Sequence, residues 1–526
     1  LKDVDVVCAG HTHMDFPSDS AQAAPYYDYE HTDSNGLMHG KALIEEKDHA
    51  VSLGIADVKI AFTEYGTPYI KSQKSTIRKI KDTDPEDPKI VAINEKYDAI
   101  YNKLYEQEVT TTDRETNNYF GMIEDNPLVH LCNDAKIEYG MRAVKNLDEP
   151  YRSAPVIAST RYQLAGKSGS DDYIDIDGRV QVKDLLNLEA FNQQRAKVYY
   201  ITGAQLRESL ECEVARFYQT SGQETSSKWD KETQALVDQG MKPVLSTKYQ
   251  KDWEGFRVYD GIEYVVDPTV APRYDENGTL ISDTHRIVSL TRNGVPVNDS
   301  DVFIIVSSNV DSANDPVFAK VANKQLLVKK TAHISSMLET YMKTQTINGT
   351  LQMSMDGNWK VVFPQEDNYI IRSSSRASDI AKTKVWYQGE IPGTNGYTYY
   401  KAALGTPVQQ ADTYGPFICA SPMETEVTGD PVKVRVEAND ISGVAKLQYI
   451  GGTYKADDAI WNSAVDVKDN EFQATENGTY TVRAVDSLGN ANVNYVTINN
   501  IDSTVSVTPS LDEELTNRKK VLNGHG

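Results

Sequence analysis

The string Gly10-His11-Thr12-His13, set directly after the strand-like run Val4 to Ala9 and before Met14-Asp15-Phe16-Pro17, is the strongest chemical signal in the sequence. On an extended chain alternate side chains share one side, so His11 and His13 can present two imidazoles, good donors for divalent metals, to one site. Gly10 lets backbone approach closely. Other strings fail on spacing. Gly166-Lys167-Ser168 matches the end of a phosphate loop, but Arg161 holds the position that needs an upstream Gly. Asp175, Asp177, Gly178 and Asp184 match part of a calcium loop whose first ligand position is Tyr173. Asn277, Asn298, Asn348 and Asn477 fit glycosylation sequons, yet three of them are Asn-Gly and read better as tight turns. Cys8, Cys132, Cys212 and Cys419 lie too far apart for a metal knuckle or a dense disulfide framework.

The elements that must position these residues follow from the chain's length and patterning. The 526 residues correspond to about three or four domains, and a net charge of −22 argues against polymeric nucleic acid or anionic membrane as partners. No stretch nears eighteen consecutive apolar residues, so no membrane span is expected. Tyrosine (31) outnumbers Phe (11) and Trp (5), which suits exposed surfaces that touch polar ligands. Residues 1–85 read as strands of one sheet at Ala50 to Leu53, Asp57 to Phe62 and Pro68 to Ser72, around a polar loop at 15–40. Ile90, Ile93, Tyr97, Ile100, Tyr101, Leu104 and Tyr105 recur at helical spacing, so 86–114 reads as a linker built on an amphipathic helix opened by Pro88. From 115 to 363 helical stretches (127–145, 182–192, 203–219, 331–343) alternate with strand runs, which predicts an α/β or α+β domain. Residues 220–250 read as a polar surface excursion and 364–415 as an unassigned joint. Short, regularly spaced strands over 416–501 predict an all-β sandwich, followed by a polar linker or tail at 502–526. The chain opens on Leu1 and runs straight into a strand, so it is expected to be the C-terminal portion of something longer.

Taken together, the motifs resemble a known family. Gly10 to Pro17 resembles the last metal-binding motif of calcineurin-like metallophosphoesterases. The following chain resembles the C-terminal domain of the 5'-nucleotidase family, and within it the bacterial 2',3'-cyclic-nucleotide 2'-phosphodiesterase/3'-nucleotidases. The likeness is carried by Asp125-Asn126-Pro127-Leu128 through Asn133-Asp134-Ala135, Ala154-Pro155-Val156-Ile157, and Gly203 through Leu210-Glu211-Cys212. It continues through Gly261-Ile262-Glu263-Tyr264 with Asp267, Arg273-Tyr274-Asp275, Asn293-Gly294 and Asp301 to Asn309. Residues 416–501, with Gly478 to Val482 and the Asp486 to Asn490 turn, resemble bacterial Ig-like repeats. The implied fold is multidomain: the C-terminal piece of an α/β metallophosphoesterase sandwich (1–85), an α/β (α+β) 5'-nucleotidase C-terminal domain (115–363), and an all-β Ig-like sandwich (416–501).

The resemblance implies a secreted, metal-dependent nucleotide phosphohydrolase of nucleotide scavenging, acting on a nucleotide or cyclic nucleotide. Its two divalent metal ions (Mn, Zn or similar) would each take one ligand from His11 and His13. In the family the other four motifs, DxH, GD, GNHE/D and a lone His, precede this one and would lie upstream of Leu1, so this chain is expected to be inactive alone. A base would be sandwiched between Phe256 and Phe318, the second ring following Asn309 at the family distance, with Trp253 as an alternative platform. The loop after Asn309 lacks the family's Gly-Gly, and Ala158-Ser159-Thr160-Arg161 stands where true 5'-nucleotidases carry Asn-Gly-Gly-Ile-Arg. A second reading is therefore a non-catalytic surface nucleotide-binding or adhesion protein with a degenerate nucleotidase-like domain. The location implied is extracellular or on the surface of a Gram-positive bacterium, with cell-wall association through flanking regions and the sandwich as a spacer.

Overall fold

The computed structural model describes residues 4–504 apart from 13, 19–26, 48–49, 82, 162–171, 189–193, 221–229, 246–256, 276–277, 309–324, 329–330, 395 and 406–411. It divides into two compact units, Leu1–Asn102 and Lys103–Gly526.

In the first unit the strand Lys41–Ile44 pairs in parallel with Val6–Cys8 and antiparallel with Leu37–Met38. Phe16, Ala42, Leu43 and Ile44 form its buried apolar set. The stretches at Ala50 to Leu53 and Asp57 to Phe62 fall in one strand, Ser52–Phe62, which pairs with Pro68–Lys79, so all three share one sheet, a two-stranded hairpin separate from the three-stranded one. Gly54 belongs to the first of these strands. In the structure it lies mid-strand because its N–H donates to Glu46 Oε1 at 3.1 Å, and a Cβ there would meet that oxygen at 2.4 Å. Pro88 opens the helix Pro88–Tyr105, none of whose residues is buried.

The second unit is organised on a five-stranded sheet in the order Arg257–Asp260, Val156–Arg161, Val302–Ser308, Ala196–Thr202, Leu326–Val328. Val156–Arg161 runs parallel to Val302–Ser308, and the remaining pairs are antiparallel. Their Val/Ile-rich runs match the near-complete burial of 156–161 and 303–308, as expected of inner strands covered on both faces. The helix Pro127–Ala143 packs on this sheet. Asn126 caps it by accepting from Leu128 N–H, and Pro127 occupies the first turn, where no backbone N–H is needed. Gly140 is small where the helix meets the sheet: a Cβ would lie 2.6 Å from Val306 and 2.8 Å from Val156.

The stretch read as a polar surface excursion is in its described part built into this unit, and so is the stretch left as an unassigned joint. Residues 230–245 contain the helix Lys231–Val237, with Thr233 and Leu236 buried, and a strand Lys242–Pro243. That strand pairs with Glu366–Ser374, which continues through Tyr397–Leu404 to Tyr387–Pro392 as one four-stranded sheet. Tyr369, Tyr397 and Tyr400 join the main core, and the Tyr400 hydroxyl donates to Ser374 O at 2.6 Å. The expectation that tyrosines line exposed surfaces fails here, because a buried hydroxyl with a carbonyl partner leaves the ring free to pack. Likewise, Glu108–Thr112, at the end of the stretch read as a linker, pairs with Arg179–Gln181 and Thr350–Leu351.

Residues 417–498 form two antiparallel sheets, of three and four strands, around Val432, Val434, Val436, Phe472, Val482, Ala484 and Val496. This sandwich is docked rather than tethered. Arg292 Nη2 meets Glu437 Oε2 at 2.6 Å, Asn439 Nδ2 donates to Glu263 Oε1 at 2.8 Å, and the Gln345 amide brackets the Tyr495 backbone at 2.6 and 2.9 Å.

Candidate functional site

Of the residues singled out in sequence, His11 is described. It is exposed, follows the strand Val6–Cys8, and holds a left-handed backbone with φ 83°. The turn is fixed from beneath by the buried Glu45, whose two carboxylate oxygens accept from Thr12 N–H and Thr12 Oγ1, each at 2.8 Å. Such an exposed imidazole suits a metal ligand, but His11 and His13 together fall far short of two filled coordination spheres, so no chemical step through metals follows for this chain. His13, Trp253, Phe256, Asn309 and Phe318 lie outside the described residues.

The strand register shows where the chain leaves for those positions. Arg257 pairs with Arg161, and Ser308 pairs with Ala196. Val306 is level with Ala158 in the parallel pair, which puts Ser308 level with Thr160. Residues 161, 257, 308 and 196 therefore end four strands at one end of the sheet. The stretches 162–171, 246–256 and 309–324 join the sheet there directly, and 189–193 joins it through 194–195.

Beneath that end sits a cluster of arginines around one buried carboxylate. The helix Gly203–Val214 is opened by a Thr202/Gln205 capping box and presents Ser209 and Glu213 on one face, four residues apart. Glu213 accepts from Arg257 N at 2.9 Å, Arg257 Nε at 3.1 Å and Arg161 Nη2 at 3.2 Å, with Arg216 Nη1 at 3.9 Å. Although burial opposes ionisation, these three guanidinium groups hold the Glu213 carboxyl down at about 2.

A second, largely buried network supports the sheet from the other side. His130 Nε2 lies 2.9 Å from Asp125 and 3.2 Å from Asp356, and Nδ1 lies 3.3 Å from Asp260. Asn133 and Asn358 donate to the two oxygens of Asp260 at 2.8 and 3.0 Å, and Gly357 N–H donates to Asp125 at 3.0 Å. Burial disfavours the imidazolium, but the three carboxylates outweigh it and raise His130 well above its ordinary value. Asp125 is held below the usual range, mainly by that imidazolium against its own burial. Burial lifts Asp260, and lifts Asp356 well above its ordinary value, so the buried cluster carries protons as well as charge. One imidazole thus ties the start of the 127–143 helix to the 257–260 strand and the 356–358 loop. Sequence reasoning quoted Asp125 and Asn133 as motif residues without giving them a role. It missed Asp260 and Asp356, which only the tertiary fold brings to them.

Residues 109–318 match the family model described as "5'-nucleotidase, C-terminal domain". The chain is 24% identical over 415 residues to a trifunctional nucleotide phosphoesterase of Bacillus subtilis, covering 76% of this chain and 26% of that protein. It is 25% identical over 424 residues to a 2',3'-cyclic-nucleotide 2'-phosphodiesterase/3'-nucleotidase of Haemophilus influenzae, covering 76% of this chain and 60% of that protein. Among solved structures, a 5'-nucleotidase precursor from Thermus thermophilus superposes with TM-score 0.34 at 14% identity, covering 68% of this chain and 59% of that one. The family match covers four of the five strands of the central sheet, the 203–214 helix and the arginine cluster, so over residues 109–318 the chain is similar to the 5'-nucleotidase C-terminal domain.

Proposed function

We propose that this chain carries the nucleotide-recognising part of a metal-dependent nucleotide phosphohydrolase that acts on cyclic nucleotides or on 3'- or 5'-nucleotides and serves scavenging outside the cell. The observation that carries the reading is that residues 161, 257 and 308 end three neighbouring strands at one end of the central sheet, where the Arg161–Glu213–Arg257 cluster sits. A sheet end with several converging connections is where α/β folds assemble ligand sites from different parts of the chain. Phe256 adjoins Arg257 and Asn309 adjoins Ser308, so two of the proposed base contacts enter from strands separated by one neighbour. An aromatic platform on a base contributes about 1–3 kcal/mol.

His11 and His13 are the residues this chain would lend to a dinuclear metal centre. Bound there, two divalent ions supply Lewis acidity and a water of lowered pKa. The protein's own part is to hold the base and to fix the His11 turn through Glu45. The docked sandwich, an Ig-like module in this reading, holds the recognition domain at a cell surface or wall. Among the described residues no helix is long and apolar enough to cross a membrane. Calorimetry with adenosine and with AMP tests the reading. Saturable binding, weakened at least ten-fold in Phe256→Ala and in Phe318→Ala, is expected, and affinity unchanged in both variants refutes the sandwich.

A further inference from the structure

Three carboxylates from separate parts of the second unit meet at the joint between the sandwich and the nucleotidase-like domain. Asp412 precedes the first sandwich strand Phe417–Pro422, Asp440 follows Val432–Asn439, and Asp486 ends Gly478–Asp486. Each offers an oxygen within 4.8 Å of the others. Asp440 and Asp486 are both only 2% exposed. Among the described residues no ion pair reaches any of the three, so three negative charges share one partly dry place without a counter-cation.

The surrounding hydrogen bonds set the loops but do not use up the acids. Ser442 N–H donates to Asp440 Oδ1 and Ser442 Oγ to Asp412 Oδ2, both at 2.7 Å. Leu488 and Asn490 N–H donate to Asp486 Oδ1 at 2.8 Å, and Asn490 Nδ2 to Asp486 Oδ2 at 2.7 Å. Asp440 Oδ2 is left buried without a hydrogen-bond partner. Burial and the neighbouring Asp412, Asp486 and Glu263 push Asp440 up to about 7, as expected of a site that needs a cation or a proton. The donors are all oxygen and lie in irregular loops, which suits calcium, a hard ion tolerant of geometry, better than magnesium or zinc. The same loops clasp the nucleotidase-like domain: Val444 N–H donates to Asn293 Oδ1 at 2.7 Å, and a Cβ on Gly294 would lie 3.3 Å from Ile441 O.

We propose that Asp412, Asp440 and Asp486 form a calcium site that fastens the 412–416 segment to both sandwich loops and so locks the sandwich onto the Asn293-Gly294 hairpin. The site is independent of the nucleotide reading and of the His11/His13 metals. The test uses the full chain after chelation. Terbium luminescence, sensitised by Tyr414, and calcium calorimetry are expected to show one ion with a Kd on the order of 10⁻⁴–10⁻³ M, the range of extracellular calcium modules. Calcium should displace terbium and raise the Tm. Asp440→Asn and Asp412→Asn should each weaken binding at least ten-fold, while His11→Ala leaves it unchanged. Without calcium, Asp440→Asn should be as stable as the wild type or more so, because it removes repulsion, and with calcium the order reverses. Absence of saturable binding up to about 10 mM calcium overturns the proposal and assigns the acids a shared proton instead. Undiminished binding in both Asn variants also overturns it. The wild-type measurements decide even if a variant fails to fold.

Discussion

Glu213→Gln is the sharpest perturbation of the sheet end. The substitution keeps size and one acceptor oxygen but removes the negative charge that faces Arg161, Arg216 and Arg257. A carboxyl held at about 2 instead of 4.5 corresponds to about 3 kcal/mol in favour of its charged form. Breaking a buried ion pair by removing one partner costs a similar amount, about 3–5 kcal/mol. The expected loss at pH 7 is therefore about 3 kcal/mol, read as a lower urea midpoint at unchanged slope using tryptophan fluorescence. The sign with pH is also set. A carboxyl with a depressed folded value contributes fully above pH 4.5 and loses that contribution as pH falls toward 2, so the gap between wild type and variant should close below pH 4.5. A variant within 1 kcal/mol of wild type at pH 7, or a gap that does not change down to pH 3, refutes the electrostatic account of this cluster.

Other perturbations test the remaining parts of the architecture. Burial pushes Asp134 up to about 7, so its contribution is full below pH 3.8 and is lost as pH rises through 7. Asp134→Asn should thus flatten the fall in Tm between pH 4 and 8 and exceed wild-type stability at pH 8. Gly203→Ala improves helix propensity, but its Cβ would lie 2.0 Å from Asn298 O, so a net loss of about 1–3 kcal/mol is expected in thermal unfolding. Gln345→Ala strips both partners from the buried Tyr495 backbone, and a loss of about 1–3 kcal/mol with faster proteolytic release of the sandwich is expected.

Local signals in the sequence reach the elements and stop short of the networks. The Asn126-Pro127 start marks the 127–143 helix by its own capping chemistry, and the alternation Val432, Val434, Val436 marks a strand with one buried face. His130 carries no such local mark, because Asp260 and Asp356 reach it only through the register of the central sheet. The arginine cluster is hidden for the same reason: Arg161, Glu213 and Arg257 come from two strands and a helix. The 364–404 stretch misleads through composition, since its tyrosines look like surface residues while their hydroxyls are in fact satisfied inside the core. Trp253, Phe256, Asn309 and Phe318 rest on motif spacing alone, with only the strand ends beside Phe256 and Asn309 placed by the fold.

Nucleoside recognition is the central claim, and adenosine titration into the full chain by calorimetry tests it most directly. The account predicts saturable binding that falls at least ten-fold in Phe256→Ala and in Phe318→Ala, with folding retained by circular dichroism. Absence of binding heat at millimolar adenosine, or full affinity in both variants, would contradict it.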